Sequence, residues 1–192
     1  FSHPDDMEAA LAAQFPTIKT FAAYRAGGSA MVGRLDFTEQ GFHAMFSTEQ
    51  GLVFVDPRTD SAGSRTYISY FKHDYNPADK DPRDMIRHPP IDLGADSLPA
   101  PLSAHHGVDQ LAARSGSQLT TYRLALAATG EYTAFHGGTV GGALSAMTTT
   151  MNRVNFIYQR DLSIRMVLVG NNSSIIYTNA ATDPYSNNNA GA

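Results

Sequence analysis

The sequence of 192 residues contains no cysteine. This absence excludes disulfide bridges, thiolate zinc sites, iron–sulfur ligation and cysteine nucleophiles. No apolar run approaches the roughly 18–20 residues that cross a bilayer, so we expect no membrane span. The formal net charge of −4 gives no basic footprint, and we therefore expect no nucleic-acid partner. An apolar share of 42% is nevertheless sufficient for a packed core.

Composition divides the chain into two units joined by a proline-rich connector. Acidic residues outnumber basic residues in residues 1–114, whereas the two are nearly balanced in residues 115–192. Several prolines cluster between these regions, and prolines at such density favour extended backbone over helix or strand. We therefore predict a first domain at residues 1–75, a connector at 76–118 and a second domain at 119–192.

The first unit is predicted to be α+β, with one short helix followed by an antiparallel meander. Asp5 and Asp6 favour a helix start, an apolar stripe follows from Met7 to Phe15, and Pro16 ends the helix. Partly alternating segments then recur between turn signals. They are residues 30–37, 41–47, 52–57 and 65–73. We expect the helix to lie on the meander.

The second unit reads as strand, long helix and strand. Residues 122–128 and 164–169 are short apolar runs, which predict two buried strands. Between them an apolar stripe with helical spacing extends from Val140 to Tyr158, and Thr139 is its expected N-cap. A βαβ unit of this kind has parallel strands. Residues 174–178 are a candidate for a further strand.

The residues alone reveal no catalytic constellation. The histidines form no H-x-x-x-H or H-x-x-E pair, and the neighbours His73 and Asp74 suit either a ligand pair or a solvated strand end. The glycine-rich segment 137–142 lacks the Lys-Ser/Thr of a phosphate-binding loop, so a closely packed helix entry is the simpler interpretation.

Three segments of the second unit, residues 122–135, 151–169 and 176–185, carry a resemblance to a known family. The most specific pattern in them is Val154-Asn155-x-Ile157-Tyr158 followed by Leu162-x-Ile164. Together they resemble the start of reprolysin-like zinc metallopeptidases of the metzincin clan, in particular bacterial secreted members. Residues 1–75 resemble the propeptide of such proteases, through Ala13-x-Phe15-Pro16 and residues 53–57.

The resemblance implies a propeptide followed by a partial α/β metzincin-like βαβ unit, in the precursor of a secreted zinc metalloendopeptidase. In that clan the three histidines of H-E-x-x-H-x-x-G-x-x-H bind zinc, and the glutamate is the general base. No residue of this chain matches that motif, so we expect the chain to end before it, to bind no zinc alone and to be inactive. The implied partners are the remainder of the protease domain and, for the full-length enzyme, protein or peptide substrates.

Two alternatives stay open at this point. The first unit could be a non-catalytic inhibitory or chaperoning propeptide module, or the chain could be an unrelated extracellular binding module. We also expect that the chain, which begins at Phe1, is a processed product from which any signal peptide has been removed.

Processing and latency give two further expectations. Propeptide release is predicted near Arg114 and Ser115, where a cut among small residues would disturb no packing. The resemblance implies that the propeptide keeps the precursor inactive with a zinc ligand that displaces the catalytic water, and this ligand is usually a cysteine. The chain has no cysteine. An aspartate serves the same purpose in another branch of the clan and can ligate zinc. Asp74 is the preferred candidate, and His88 or His105 is the alternative.

Overall fold

The computed structural model describes residues 6–59, 65–74 and 118–185. The predicted connector, apart from Gln118, lies outside these residues, as do Arg114 and Ser115. The helices are α1 (Ala9–Gln14), α2 (Gly130–Phe135) and α3 (Val140–Asp161). The strands are β1 (Lys19–Tyr24), β2 (Met31–Thr38), β3 (Gly41–Thr48), β4 (Gly51–Thr59), β5 (Arg65–Phe71), β6 (Thr120–Leu124) and β7 (Ile164–Leu168). The fold is therefore an α+β mixture.

The first five strands form one antiparallel meander in the order β1-β2-β3-β4-β5. The four predicted segments correspond to β2–β5 with ends shifted by two residues or fewer, because alternation and turn glycines mark them. Gly41 and Gly51 begin β3 and β4 with φ of 124° and 125°, a conformation that favours glycine. β1 was not predicted, and residues Lys72–Asp74 form a short 3₁₀ turn rather than the end of β5.

The second sheet is a parallel pair of β6 and β7, with Tyr122 opposite Met166. The helix α3 connects these strands, as the strand–helix–strand pattern predicts, and it is preceded by α2, which was not predicted. The prediction that the first strand is buried is wrong, because the side chains of residues 120–123 are exposed. At residues 174–178 a full strand is absent: Asn172–Ile175 is a 3₁₀ turn, and Ile176 makes an isolated parallel bridge with Ala128.

Residues 6–8 run beside β7 instead of starting a helix. The Glu8 N–H donates to the Leu168 carbonyl at 2.8 Å, and the Leu168 N–H donates to the Asp6 carbonyl at 2.9 Å. These two bonds make a parallel bridge between Met7 and Leu168. Because the backbone at residues 6–8 is used in this pairing, α1 starts only at Ala9, later than predicted.

The buried apolar core lies between α1, α3 and β7. Its members are Met7, Leu11, Ile18, Ala128, Ala143, Leu144, Met147, Met151, Leu168 and Ile176. The helix that packs on the meander is α3, against β2, and not the predicted N-terminal helix. No helix within the described ranges is long and apolar enough to cross a membrane.

Candidate functional site

A buried ion pair joins the N-terminal segment to the meander. The Arg34 Nη1 group donates to both carboxylate oxygens of Asp6, at 2.6 and 2.8 Å. Both side chains are essentially excluded from solvent. The same nitrogen donates to Asn152 Oδ1 at 3.0 Å, and Nη2 donates to Gln159 Oε1 at 3.0 Å. Arg34 of β2 is therefore bonded to the N-terminal segment and to α3 at the same time.

Burial dominates the electrostatics of Asp6. Removal from water raises the pKa of its carboxyl above 3.8, because the charged form loses its hydration. Arg34 opposes this rise by charge and hydrogen bonding, and smaller opposing contributions come from Arg165 and Asn155. Removal of either partner should therefore destabilise the fold strongly, because the other would remain as a buried charge without compensation.

A second carboxylate, Asp36, lies two residues further along β2 in the same layer. Its Oδ2 accepts a hydrogen bond from the Thr149 hydroxyl at 2.7 Å and lies 3.1 Å from His43 Nδ1. Its Oδ1 accepts from Asn152 Nδ2 at 3.0 Å. Asn152 thus donates to Asp36 and accepts from Arg34, so one amide of α3 connects the two halves of the network.

Asn155 extends the network to the second sheet. Its Nδ2 donates to Asp6 Oδ1 at 3.1 Å and to the Met166 carbonyl at 2.8 Å, while its Oδ1 accepts from the Met166 N–H at 2.8 Å. We call Asp6, Arg34, Asp36, His43, Thr149, Asn152 and Asn155 the buried polar network. Its members come from both predicted units, so the two units share one buried set of hydrogen bonds.

Two more exposed ion pairs flank the buried polar network. Arg123 of β6 pairs with Glu8, whose carboxylate also accepts from the Gly170 N–H at 2.7 Å. The hydrogen bond from Arg123, followed by that from Gly170, lowers the pKa of Glu8 below 4.5. On the other side Arg153 of α3 pairs with Asp56 of β4. Both pairs again join the first unit to the second.

The β2–β3 turn packs against the glycine-rich segment before α3. The Gln40 amide nitrogen donates to the Gly142 carbonyl and lies 3.1 Å from His136 Nδ1. A Cβ added to Gly142 would lie 2.1 Å from the backbone oxygen of His136, so the helix entry has no room for a side chain there. The close packing is what the sequence predicts for this helix entry.

The network offers no site for zinc. Within the described ranges there is no group of three or more His, Cys, Asp or Glu side chains that could hold a metal ion. The carboxylate–imidazole pair of Asp36 and His43 is buried, and the carboxylate oxygens already accept bonds from Thr149 and Asn152. Zinc ligation therefore cannot be assigned to these residues, and the network acts as a contact between units.

Of the predicted site residues, Asp74 falls within the described ranges. Asp74 is in the exposed turn after β5, with its carboxylate 3.5 Å from His73 Nε2 and both side chains 61% exposed. The His73 ring stacks on Phe71 with centroids 5.1 Å apart. His88, His105, Arg114 and Ser115 lie outside the described residues. Asp74, the candidate that the structure describes, is not part of the buried polar network.

Sequence reasoning did not identify the buried polar network, although one signal was present. Polar residues Thr149, Asn152 and Asn155 interrupt a long helix whose apolar stripe already fills another face. Likewise Arg34 and Asp36 lie on one face of β2, whereas the opposite face of this strand is mostly apolar. Two polar faces of this kind indicate a shared buried contact, but not which residues meet.

Comparison with known proteins adds one match. The chain matches no curated protein and no solved structure. The match covers about two fifths of the chain and falls on the second unit. Residues 119–192 match the sequence profile of the family described as Metallo-peptidase family M12B Reprolysin-like, which confirms the resemblance of this unit at the level of the family.

Proposed function

We propose that this chain is the N-terminal portion of the precursor of a secreted zinc metalloendopeptidase, with residues 119–192 as the start of the peptidase domain. The observation that carries the proposal is the match of these residues to the reprolysin-like metallopeptidase family. In the full-length protein, zinc bound to later residues would activate water for peptide-bond hydrolysis. Residues 1–75 would be the propeptide, and the connector would be cut near Arg114 and Ser115.

The exposure of the second sheet supports this reading. Parallel strands usually occur in sheets that are covered on both faces. Here β6 carries four exposed residues, including Tyr122 with 54% of its surface open to solvent. Further chain packed on β6, such as the remainder of a peptidase domain, would remove this exposure.

The experiment compares the 192-residue chain with the product of the longest reading frame that contains it. After processing, the longer protein should cleave casein, lose activity with 1,10-phenanthroline and regain it with zinc. The 192-residue chain should be inactive and should hold no stoichiometric zinc. A longer frame without H-E-x-x-H, or activity that survives chelation, would contradict the proposal.

A second function, a non-catalytic partner role for the first unit, is supported by the buried polar network. The Asn152 amide of α3 accepts from Arg34 and donates to Asp36, so it would lose both partners if residues 6–74 departed, whereas Asn155 would lose Asp6 and keep Met166. Departure of residues 6–74 would also expose to water the apolar core that Met7, Leu11 and Ile18 share with α3. We propose that the first unit supports the folding of α3 and stays bound after the connector is cut.

This partner role can be tested by cutting the connector at an inserted protease site. The two pieces should co-elute from a sizing column, and Asn152→Leu should separate them. Asn171, which is exposed in the loop after β7, provides the control, since Asn171→Leu should leave the complex intact. Pieces that separate without any substitution would contradict the proposal.

Latency is a further proposal for the full-length precursor. Asp74 is exposed at the end of the meander, and a carboxylate can ligate zinc at about 2.0–2.2 Å. We propose Asp74 as the residue that displaces the catalytic water, with His88 or His105 as the alternative. In a precursor whose connector resists cleavage, Asp74→Ala should release activity. An uncleaved variant as inert as its parent would exclude Asp74.

A further inference from the structure

The meander has two faces of opposite character. Strand pairing places Arg34, Asp36, His43 and Asp56 on the face that meets α3, where their bonds to the helix confirm the side. The positions that alternate with them form the other face. They are Lys19, Phe21, Ala23, Gly33, Leu35, Phe37, Phe42, Ala44, Phe46, Val53, Val55, Pro57, Tyr67, Ser69 and Phe71. We call these fifteen positions the aromatic face.

A row of rings crosses the aromatic face. Phe21 contacts Phe37 with ring centroids 6.2 Å apart, Phe37 contacts Phe42 at 5.0 Å, and Phe42 contacts Tyr67 at 6.0 Å. The row therefore joins β1, β2, β3 and β5. Phe37 and Tyr67 each have 50% of their surface exposed. Ala23, Leu35 and Ala44 of the aromatic face are buried, so the solvent-exposed apolar surface in the described part of the chain is centred on the ring row.

This arrangement inverts the usual one for an antiparallel sheet. Such sheets commonly bury the apolar face and leave the polar face in water. Here α3 packs on the charged face at β2, while Ile68 at the β5 end of that face is 39% exposed, and no residue of the aromatic face belongs to the apolar core cluster. Contiguous exposed apolar patches of this size mark interaction sites rather than ordinary surface.

We propose that the aromatic face binds a second copy of this chain, sheet against sheet. Two antiparallel sheets pack face to face about 10 Å apart with interdigitating side chains. A two-fold axis would bring the same patch of each copy together, which requires a self-complementary surface. Lys19, at one edge of the sheet, is the single charged residue among the fifteen positions, and the register adds Arg65 at the opposite edge, so the middle of the face carries no charge.

The area of the aromatic face is consistent with a weak dimer. Five strands spaced about 4.8 Å apart, with about six residues each, cover roughly 24 Å by 20 Å, or about 500 Å² per copy. Two copies would bury roughly 1,000 Å² in total, close to the lower limit for specific interfaces. We therefore expect a dimer that dissociates on dilution. This contact does not depend on the proposed peptidase function.

Sedimentation velocity of the whole 192-residue chain tests the contact, over a series from about 1 to about 100 μM. The parent should shift from monomer to dimer across this range. Phe37→Lys places a charge at the centre of the ring row and should raise the dissociation constant at least about tenfold. Phe135→Lys is the matched control, because Phe135 is 49% exposed but lies in α2, away from the aromatic face. It should dimerise like the parent.

A second substitution protects the test against misfolding. Tyr67→Lys changes another strand, β5, and should also weaken the dimer while the far-ultraviolet circular dichroism stays unchanged. A parent that is monomeric at every concentration would overturn the proposal. So would a dimer that neither Phe37→Lys nor Tyr67→Lys affects, or one that Phe135→Lys weakens equally.

Discussion

Asp6 lies 2.6 Å from the guanidinium of Arg34, and the side chains of both residues are 1% exposed or less. The pair joins the N-terminal segment to β2, and Asn152 of α3 accepts a bond from the same guanidinium nitrogen. Three separate parts of the chain therefore meet at one buried cation. Loss of that cation would leave the carboxylate of Asp6 without its principal partner in a site that burial already makes unfavourable for charge.

Replacement of the cation is the first prediction. Arg34→Met should lower the free energy of unfolding by about 3–5 kcal/mol, because an unpaired buried carboxylate remains. Urea titration followed by circular dichroism measures the change. Arg25→Met, at an exposed arginine, should change it by less than about 0.5 kcal/mol. The double variant Asp6→Leu/Arg34→Met should recover much of the loss. Equal effects of Arg34→Met and Arg25→Met would contradict the prediction.

The hydroxyl of Thr149 gives the second prediction. It donates to Asp36 Oδ2 at 2.7 Å inside the buried polar network. Thr149→Val keeps the shape but removes the donor, so the free energy of unfolding should fall by about 1.5–3 kcal/mol, the range for hydrogen bonds to charged groups. The next residue is the control: the Thr150 hydroxyl bonds to the Ala146 carbonyl of its own helix, and Thr150→Val should have a much smaller effect. A reversed order would contradict the assignment.

Sequence patterns located most of the regular elements of both units, but not β1 or α2. Alternation bounded by turn glycines located β2–β5, and the helical spacing from Val140 to Tyr158 located α3. β1 escaped prediction because its sequence, Lys-Thr-Phe-Ala-Ala-Tyr, has two alanines and little of the β-branched enrichment that marks strands. A local pattern predicts an element correctly where the spacing of its apolar residues reflects which of its faces is buried.

The contacts between the units could not be predicted in the same way. Asp6 has the position and charge of a helix-start residue, yet it pairs with Arg34 and Asn155, which are 28 and 149 positions away. Such pairing depends on how the elements dock, and no local period encodes it. The orientation of the meander was missed for the same reason, since alternation identifies an apolar face but not the element that covers it.

The ion pair of Glu8 with Arg123 gives a pH-dependent prediction. The pKa of Glu8 is lowered from 4.5 by hydrogen bonds from Arg123 and the Gly170 N–H. Since the folded state binds the proton less readily than the unfolded chain, the contribution is fully present above pH 4.5. It is lost as the pH falls below 4.5 through the lower pKa of the folded state.

Glu8→Gln should therefore flatten the fall of the unfolding free energy below pH 4.5. Urea titrations at a series of acidic pH values measure this slope for parent and variant. Glu49→Gln, at the exposed β3–β4 turn, should keep the slope of the parent. If Glu8→Gln and the parent have the same slope, the pair with Arg123 does not contribute in solution.

The last prediction concerns Gly130, the first residue of α2. Its N–H donates to the Asp183 carboxylate at 2.7 Å, so the helix start is held against the segment at residues 179–183. A Cβ at this position would lie 2.1 Å from the backbone nitrogen of Ala180 and 2.4 Å from the carbonyl carbon of Asn179. Backbone atoms cannot turn aside as a side chain can, and overpacking commonly costs about 1–3 kcal/mol.

Gly130→Ala should accordingly lower the free energy of unfolding by at least about 1–3 kcal/mol, as measured by urea titration. Gly28→Ala is the control, because its nearest neighbours would be 3.7 and 3.8 Å away, and its effect should stay within about 0.5 kcal/mol. Gly130 and the segment it contacts both belong to stretches that resemble reprolysin-like peptidases. A destabilised Gly130→Ala would show that these stretches require each other because their backbones touch, whereas a tolerated alanine would mean that they do not pack this closely.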